Sequence, residues 1–377
     1  MSVTKPDILI FSDWFEPGFR AGGPIRSLAN MVYAMRQFAN FHVVTSNGDL
    51  GVIEPYEGIE SNVWIERPYG KIIYLSNEGY HTMINEILKL DVKYVYLNSL
   101  FSYNYTISLL PKLKKLNKKI VLAPRGMLST NALAQKKVKK SVFLQLAKLR
   151  GLYKNVLWHA TSEDEEKGIK KYFGDKAQVV RISNFPALKQ EVLPLSKARR
   201  EIVYGLVGRI ASIKNIDLAI SWMAKVQGKV LLKIAGPIED AFYLEKCEKL
   251  VAKLPSHIKV EFCGAMQPAE MSGFYQSIHA FFLPTQTENF GHAIVEALAH
   301  GKPCIISDKT PWNDIQDFEA GFAISLDKED SFVKALQGWS DLNEEQYKKL
   351  CLCTQAYFDI KFNPSVLIEQ YLKLFDT

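Results

Sequence analysis

The sequence predicts an α/β protein of two Rossmann-like domains facing each other across a cleft. Short apolar runs rich in β-branched and aromatic residues alternate with helical periodicities, the signature of parallel sheets covered by helices. The alternation restarts beyond a Pro- and charge-containing connector between about Asn184 and Arg200. At 377 residues and 47% hydrophobic content, the chain is long and apolar enough for two cores.

In the first half, Ile8 to Phe11 reads as a strand, followed by a Gly- and Pro-containing loop. A helix starts near Pro24, with Ile25, Leu28, Val32 and Met35 on one face. Further strands are expected at Phe41 to Thr45, Ile72 to Leu75, Tyr94 to Leu97 and Ile120 to Leu122. The second half opens with Ile202 to Val207, then a helix from about Asn215 with Ile216, Ile220, Met223 and Val226 on one face. Strands are expected at Val230 to Ala235, Val260 to Cys263, Ala280 to Leu283 and Pro303 to Ile306. The domains are expected at 1–190 and 191–362, with a last helix, 363–377, carrying Leu367, Ile368, Tyr371, Leu372 and Phe375 on an apolar stripe. In such sheets ligands sit beyond the C-terminal strand ends, so two facing units place a site between them.

The five cysteines are odd in number and mostly lie in apolar runs, the pattern of reduced, buried thiols. Cys351 and Cys353 are too close together, and too isolated, for a zinc site. The N-terminus lacks a signal h-region and no apolar run reaches the roughly 18 residues of a membrane span, so a cytoplasmic location is expected. The net charge of +7 is unevenly placed: from Val92 to Ser162 there is no Asp or Glu, and 14 Lys and Arg residues leave −7 for the rest. That asymmetry points to an anionic partner, whether phospholipid headgroups, a lipid-linked phosphate or nucleic acid, or to a solvated basic surface. Within it, Gln135 to Lys154 clusters lysines at one end and repeats Val138, Val142, Phe143, Leu146 and Leu149 at helical spacing. This is the pattern of an interfacial helix or of one packed on the core.

Three segments carry candidate chemistry. From Pro284 to Pro303 the sequence reads strand end, tight loop, helix, glycine stop and next strand, with Glu288 in the loop, Phe290 and Gly291 opening the helix and Glu296 inside it. Free amides at a helix start suit a phosphate or polar sugar, and a helical carboxylate can accept bonds from two ribose hydroxyls. The plainer alternative is a capping glutamate and a second one exposed on the helix. In the second segment, Gly208 to Asn215, Arg209 and Lys214 lie at a strand end and a helix start, where a planar guanidinium and a point-charge ammonium can converge on a diphosphate. No Asp-x-Asp occurs, and no metal is expected. In the third, Gly22 and Gly23 precede Pro24 and allow close backbone approach to a phosphate or sugar, or form a plain turn. The spacing is not that of a dinucleotide fingerprint.

Gly22-Gly23, Gly208-Arg209 with Lys214, Gly236-Pro237, Phe262-Cys263-Gly264 and the pair Glu288 and Glu296 together resemble glycosyltransferase family 4, retaining enzymes of the GT-B fold. Pro124 to Leu128 and His159 to Glu163 resemble a bacterial branch serving capsule, O-antigen or exopolysaccharide assembly. The resemblance implies that Arg209 and Lys214 hold the diphosphate of a UDP- or GDP-linked donor, used as substrate with no cofactor. It also implies that Glu296 binds the ribose, Glu288 the donor sugar, and Asn289, Phe290 and Gly291 the sugar and phosphate, with Gly264 and Met266 near the base. The C-terminal helix would cross back to the first domain. Many relatives carry a His where Ala123-Pro124-Arg125 stands here, which leaves Arg125 as a donor or acceptor phosphate contact or as part of a structural salt bridge. The implied acceptor is a saccharide or a polyprenyl-phosphate-linked saccharide at an anionic membrane surface, with no nucleic acid. A sugar-nucleotide epimerase and a non-catalytic saccharide- or nucleic-acid-binding module are the alternatives.

Overall fold

The computed structural model describes residues 5–128, 133, 137–190 and 194–376. The chain divides into two compact units, Met1–Phe185 with Pro364–Thr377, and Pro186–Asn363.

The strands of the first unit are β1 (Asp7–Phe11), β2 (Asn40–Ser46), β3 (Trp64–Arg67), β4 (Gly70–Leu75), β5 (Tyr94–Leu97), β6 (Lys119–Leu122), β7 (Leu157–Ala160) and β8 (Val179–Arg181). They form one sheet in the order β3-β4-β2-β1-β5-β6-β7-β8. All pairings are parallel except β3 with β4, at the edge. Helices α1 (Gly23–Met35), α2 (Asn77–Leu88), α3 (Leu110–Lys115), α4 (Lys137–Leu149) and α5 (Glu163–Phe173) lie among the strands in sequence. The central strands are continuously apolar because both sheet faces are covered, and Tyr94–Leu97 is buried at every position. One face packs Leu9, Phe11, Val95 and Leu97 with Ile84, Leu110 and Leu144; the other packs Ile8, Ile10 and Tyr96 with Leu28 and Val32.

The second unit contains β9 (Glu201–Val207), α6 (Ile216–Met223), β10 (Lys229–Ala235), α7 (Ala241–Val251), β11 (Ile258–Gly264), α8 (Pro268–Gln276), β12 (Ala280–Leu283), α9 (His292–Ala299), β13 (Cys304–Ser307), β14 (Gly321–Ile324), α10 (Glu329–Ser340) and α11 (Glu344–Lys361). Its sheet runs β11-β10-β9-β12-β13-β14, parallel throughout. Strand order reverses between β9 and β12, which is where an open sheet of this kind leaves a crevice at its carboxyl end. The last helix, α12 (Pro364–Asp376), buries Leu367, Tyr371, Leu374 and Phe375 in the first unit, against the face that carries α1. Phe375 meets Tyr94 edge-on with centroids 5.9 Å apart, and the Tyr371 hydroxyl donates to the Ser183 carbonyl at 3.2 Å.

The cysteines are not uniformly buried. Cys247, Cys304 and Cys351 are, but Cys263 is exposed, because β11 is the edge strand and its outer face is solvated. No described helix is long and apolar enough to cross a membrane.

Candidate active site

At the switch point of the second unit, the loops leaving β9 and β12 are fastened to each other. Gln286 N–H donates to the Ile213 carbonyl at 2.8 Å, Asn215 Nδ2 to the Pro284 carbonyl at 2.8 Å, and Gln286 Nε2 to Asn215 Oδ1 at 3.1 Å. Asn215 adopts φ 50° and is itself nearly buried, so the turn that ends the first loop is part of the interior. This clamp brings the Lys214 ammonium onto Glu288 Oε1, both side chains retaining only 15% exposure. A Cβ on Gly208 would lie 3.0 Å from Lys214 Cε, so the glycine clears the channel through which the lysine reaches its partner. Gly236 is required for a different reason: at φ 151° a Cβ there would sit 2.0 Å from the Gly208 carbonyl oxygen.

The remaining expected residues occupy distinct places. Arg209 Nη1 pairs with Glu239 Oε2 at a half-exposed position, a partner that sequence spacing gave no sign of. Glu296, on α9, accepts from the Tyr275 hydroxyl at 3.1 Å, and that hydroxyl also approaches the Ala293 carbonyl. Phe290 and Gly291 do not open the helix as expected: α9 begins at His292, with Gly291 as its N-cap at φ 75°. Phe290 is buried edge-on to Trp312, whose Nε1–H donates to the Phe290 carbonyl at 2.7 Å. Glycine is needed at 291 because a side chain at positive φ would also crowd Ile294 Cδ1 at 3.0 Å. No side chain caps α9, which leaves its first amides directed at whatever lies beyond the β12 loop; Asn289 is half-buried beside them. Gly264, at φ 74°, ends β11, two strands from β9 in sheet order, and the half-buried Met266 follows it; Gly236 N–H donates to the Gly264 carbonyl at 2.8 Å.

The first unit holds a second constellation at its own switch point, between β1 and β5. Gly22, at φ 65°, caps α1 without a side chain, and Gly23 begins the helix. The preceding loop is pinned by the nearly buried Asp49, whose Oδ2 accepts from the amides of Phe19 at 2.8 Å and Arg20 at 3.1 Å. Arg125 sits after β6 at φ 54° and donates through all three nitrogens: Nε to Asn98 Oδ1 at 2.7 Å, Nη1 to Asn184 Oδ1 at 2.5 Å and Nη2 to the Tyr96 hydroxyl at 2.9 Å. Among the described residues the structural salt bridge weighed for Arg125 does not form; its partners are two amides and a phenol. Asn98 also donates to the Pro24 carbonyl at 3.3 Å, which brings Arg125 and the Gly22-Gly23 turn onto a shared residue.

Behind Arg125 the polar chain continues inward. His159 is fully buried, with Nδ1 2.7 Å from the Tyr96 hydroxyl and Nε2 3.0 Å from the Ile182 carbonyl. Because a carbonyl only accepts, the ring proton resides on Nε2, Nδ1 accepts from Tyr96, and Tyr96 accepts from Arg125. Burial, then the neighbouring guanidinium, pushes the His159 pKa down to about 3, and burial pushes Tyr96 up to about 12. Glu165, also buried, accepts from the Gly126 amide at 2.5 Å and the Thr161 amide at 2.7 Å. Sequence reasoning missed Asn98, Tyr96, His159 and Glu165 in this role; the one signal was a His inside an apolar run. Among the described residues, no three His, Cys, Asp or Glu are grouped to hold a metal ion.

Comparison with known proteins agrees with this architecture. Residues 190–350 match the family model described as glycosyl transferases group 1. A stretch of 134 residues is 31% identical to the sulfoquinovosyl transferase SQD2 of Arabidopsis thaliana, and it spans 34% of this chain and only 24% of that protein. Among solved structures, the sucrose-phosphate synthase of Thermosynechococcus elongatus superimposes with a TM-score of 0.70 at 17% identity, covering 99% of this chain and 98% of that one. HepE of Anabaena, in complex with UDP and glucose, gives 0.71 at 14% identity over 98% and 99%. The two parallel-sheet units thus have the GT-B fold, and residues 190–350, which lie in the second, match the family described as glycosyl transferases group 1.

Proposed function

We propose that the chain is a retaining, metal-independent transferase that moves a sugar from a nucleoside-diphosphate donor, UDP-linked in the first instance, to a saccharide or lipid-linked saccharide. The pathway proposed is assembly of a bacterial surface polysaccharide. The observation that carries this reading is the Lys214–Glu288 pair at the switch point of the second unit. It sets a cation and a carboxylate beside uncapped helix amides, the chemistry wanted for a phosphate leaving group next to a hydroxylated ring. The UDP and glucose bound by HepE support the choice of donor. Arg209 is held by a half-exposed ion pair, worth about 0.2–1 kcal/mol, and can exchange Glu239 for a diphosphate of higher charge. In the proposed step the bond from the sugar's anomeric carbon to the phosphate oxygen breaks while an acceptor hydroxyl bonds to that carbon from the same face. The hydroxyl proton passes to the departing phosphate oxygen, whose charge Arg209 and Lys214 stabilise. Glu296 binds the ribose, Glu288 the sugar, and Gly264 and Met266 adjoin the base.

A thermal-shift screen against UDP, GDP, ADP and CMP and their sugar conjugates, a sulfoquinovosyl nucleotide included, tests the donor without added metal. One nucleotide is expected to stabilise the protein, and Arg209→Ala and Glu296→Ala are each expected to remove that shift. A flat response to every nucleotide would end the transferase reading.

The acceptor side is proposed to meet an anionic membrane. On α4, Val138, Val142, Leu146 and Leu149 recur every third or fourth residue and are 78%, 49%, 45% and 83% exposed, while Leu144 and Ala147 are buried on the opposite side. The helix therefore has a second, uncovered apolar stripe in the basic half of the chain, the combination that inserts among acidic headgroups at roughly 1 kcal/mol per surface Lys or Arg. Residues 135 and 136, the start of the sequence motif, lie outside the described residues. Co-sedimentation is expected with phosphatidylglycerol vesicles and not with phosphatidylcholine, and to drop severalfold for Val142→Asp combined with Leu146→Asp. Equal binding to both vesicle types would count against membrane docking.

A further inference from the structure

Beyond β1, β2 and β4 of the first unit, a cavity of about 200 Å³ opens at the carboxyl end of the sheet, apart from Arg125 and from the Gly22-Gly23 turn. Its lining contains Asp13, Trp14, Asn47, Asn77, Asn104 and Tyr105 and no Lys or Arg. The volume is small beside the roughly 300–1,000 Å³ of pockets for drug-sized ligands, and suits one sugar ring better than a nucleotide.

The groups facing this cavity have unused hydrogen-bonding capacity. Asp13 Oδ1 accepts from the Ser102 hydroxyl at 2.6 Å, and Oδ2 has no side-chain partner among the described residues. Burial raises the Asp13 pKa, as happens when a carboxylate is kept from water without a cation to compensate it. Tyr105 is 5% exposed, and among the described residues no hydrogen bond engages its hydroxyl. Asn47 Nδ2 is fixed on Ser61 Oγ at 3.0 Å, which holds that amide in place and leaves its Oδ1 open. The Tyr80 hydroxyl, by contrast, is consumed by the Asn104 carbonyl at 2.6 Å and Ser108, so Tyr80 forms wall and not a ligand contact. Trp14 is partly exposed, and among the described residues no aromatic ring packs on it.

A carboxylate oxygen, amide groups and a phenol around an open indole match a ring that is hydroxylated on its edge and apolar on its face. A phosphate fits poorly: it would bring negative charge to Asp13 with no lysine or arginine in the lining to offset it. We infer that the cavity holding Asp13, Trp14 and Tyr105 is a binding site for a single uncharged pyranose, with Asp13 accepting from a ring hydroxyl and Trp14 stacked on the ring face. It is called the acceptor sugar only on the transferase reading above; the site stands on its own lining. Any phosphate on the same acceptor lies outside this cavity.

Saturation-transfer NMR on the full chain tests the assignment, with methyl glucoside, methyl galactoside, N-acetylglucosamine, and glucose 6-phosphate as probes, each with and without UDP. At least one uncharged glycoside is expected to receive saturation and glucose 6-phosphate none. Asp13→Asn and Trp14→Ala are each expected to weaken glycoside binding about tenfold. Both variants are expected to keep the wild-type melting profile and UDP shift, which shows that they fold. Absence of signal from every uncharged glycoside, or equal signal from glucose 6-phosphate, overturns the assignment. Loss of the UDP shift in wild-type protein with glycoside binding intact would instead overturn the donor reading and leave this site standing.

Discussion

Lys214→Ala is expected to lower kcat/KM for transfer from the stabilising nucleotide sugar by about 10²–10³-fold, the usual cost of removing one charge-stabilising donor from a reaction centre. The ammonium is fixed at three levels. Gly208 makes room for its methylenes, the Asn215 turn holds its backbone, and Glu288 takes its charge. A cation so placed needs little reorganisation when charge develops on a leaving phosphate. The same substitution strands Glu288, at 15% exposure, without its partner, and is expected to destabilise the protein by on the order of 2 kcal/mol. Stability and catalysis separate in Glu288→Gln, which keeps shape and loses charge. UDP binding is then expected to hold or tighten, because a competitor for Lys214 is gone, while kcat falls by about tenfold or more through the lost sugar contact. Steady-state kinetics with a parallel UDP titration reads both. A Lys214→Ala enzyme within threefold of wild type would remove Lys214 from the reaction.

The sequence made the fold legible where local pattern and burial coincide. Tyr94–Leu97 and Ala280–Leu283 are apolar at every position and flanked by polar turns, and both were delimited to the residue. The strands that escaped are those whose local pattern is weak. β3 is an edge strand with a charged second half, β8 has three residues, β7 carries His159 in its middle, and β14 is a four-residue edge strand that opens on a glycine. A histidine in a buried strand reads as a break until its partners are known, and Tyr96 lies 63 residues away. The candidate site divides in the same way. Gly236 marks a close backbone approach and Gly291 a positive φ that strains any other residue, while Gly208 leaves room for the Lys214 methylenes. The pairing of Lys214 with Glu288 spans 74 residues and that of Arg209 with Glu239 spans 30, and no spacing rule reaches so far. The Asp13 cavity draws on residues from 13 to 105 that each look like ordinary loop polarity. They become a site only when parallel strands bring their carboxyl ends to one edge.

Acid is expected to destabilise the first unit through His159 before most carboxylates titrate. The folded-state pKa is pushed down to about 3, whereas an unfolded histidine titrates near 6.5. Above pH 6.5 neither state holds the proton and the group has no effect on stability. Below 6.5 the unfolded chain takes up a proton that the folded chain refuses, so stability falls at up to about 1.4 kcal/mol per pH unit until the folded-state pKa is reached. Between pH 6.5 and 4.5 this amounts to roughly 2–3 kcal/mol. Burial and the Arg125 guanidinium beyond Tyr96 oppose protonation, whereas the Ile182 carbonyl that accepts from Nε2 favours the charged ring without outweighing them; the Tyr371 ring stands edge-on at 5.2 Å, and the buried Glu165 supplies the opposite sign in the same cluster. Denaturant melts from pH 7 to 4.5, compared with His159→Gln, isolate the contribution from those of other groups. The variant loses hydrogen bonds and is expected to be the less stable protein at pH 7. The gap should then close by about 2–3 kcal/mol as the pH falls, because glutamine cannot take up the proton. A gap that stays constant across this range would mean that His159 is protonated in the folded chain, and the proton order running from Arg125 through Tyr96 to Ile182 would have to be reversed.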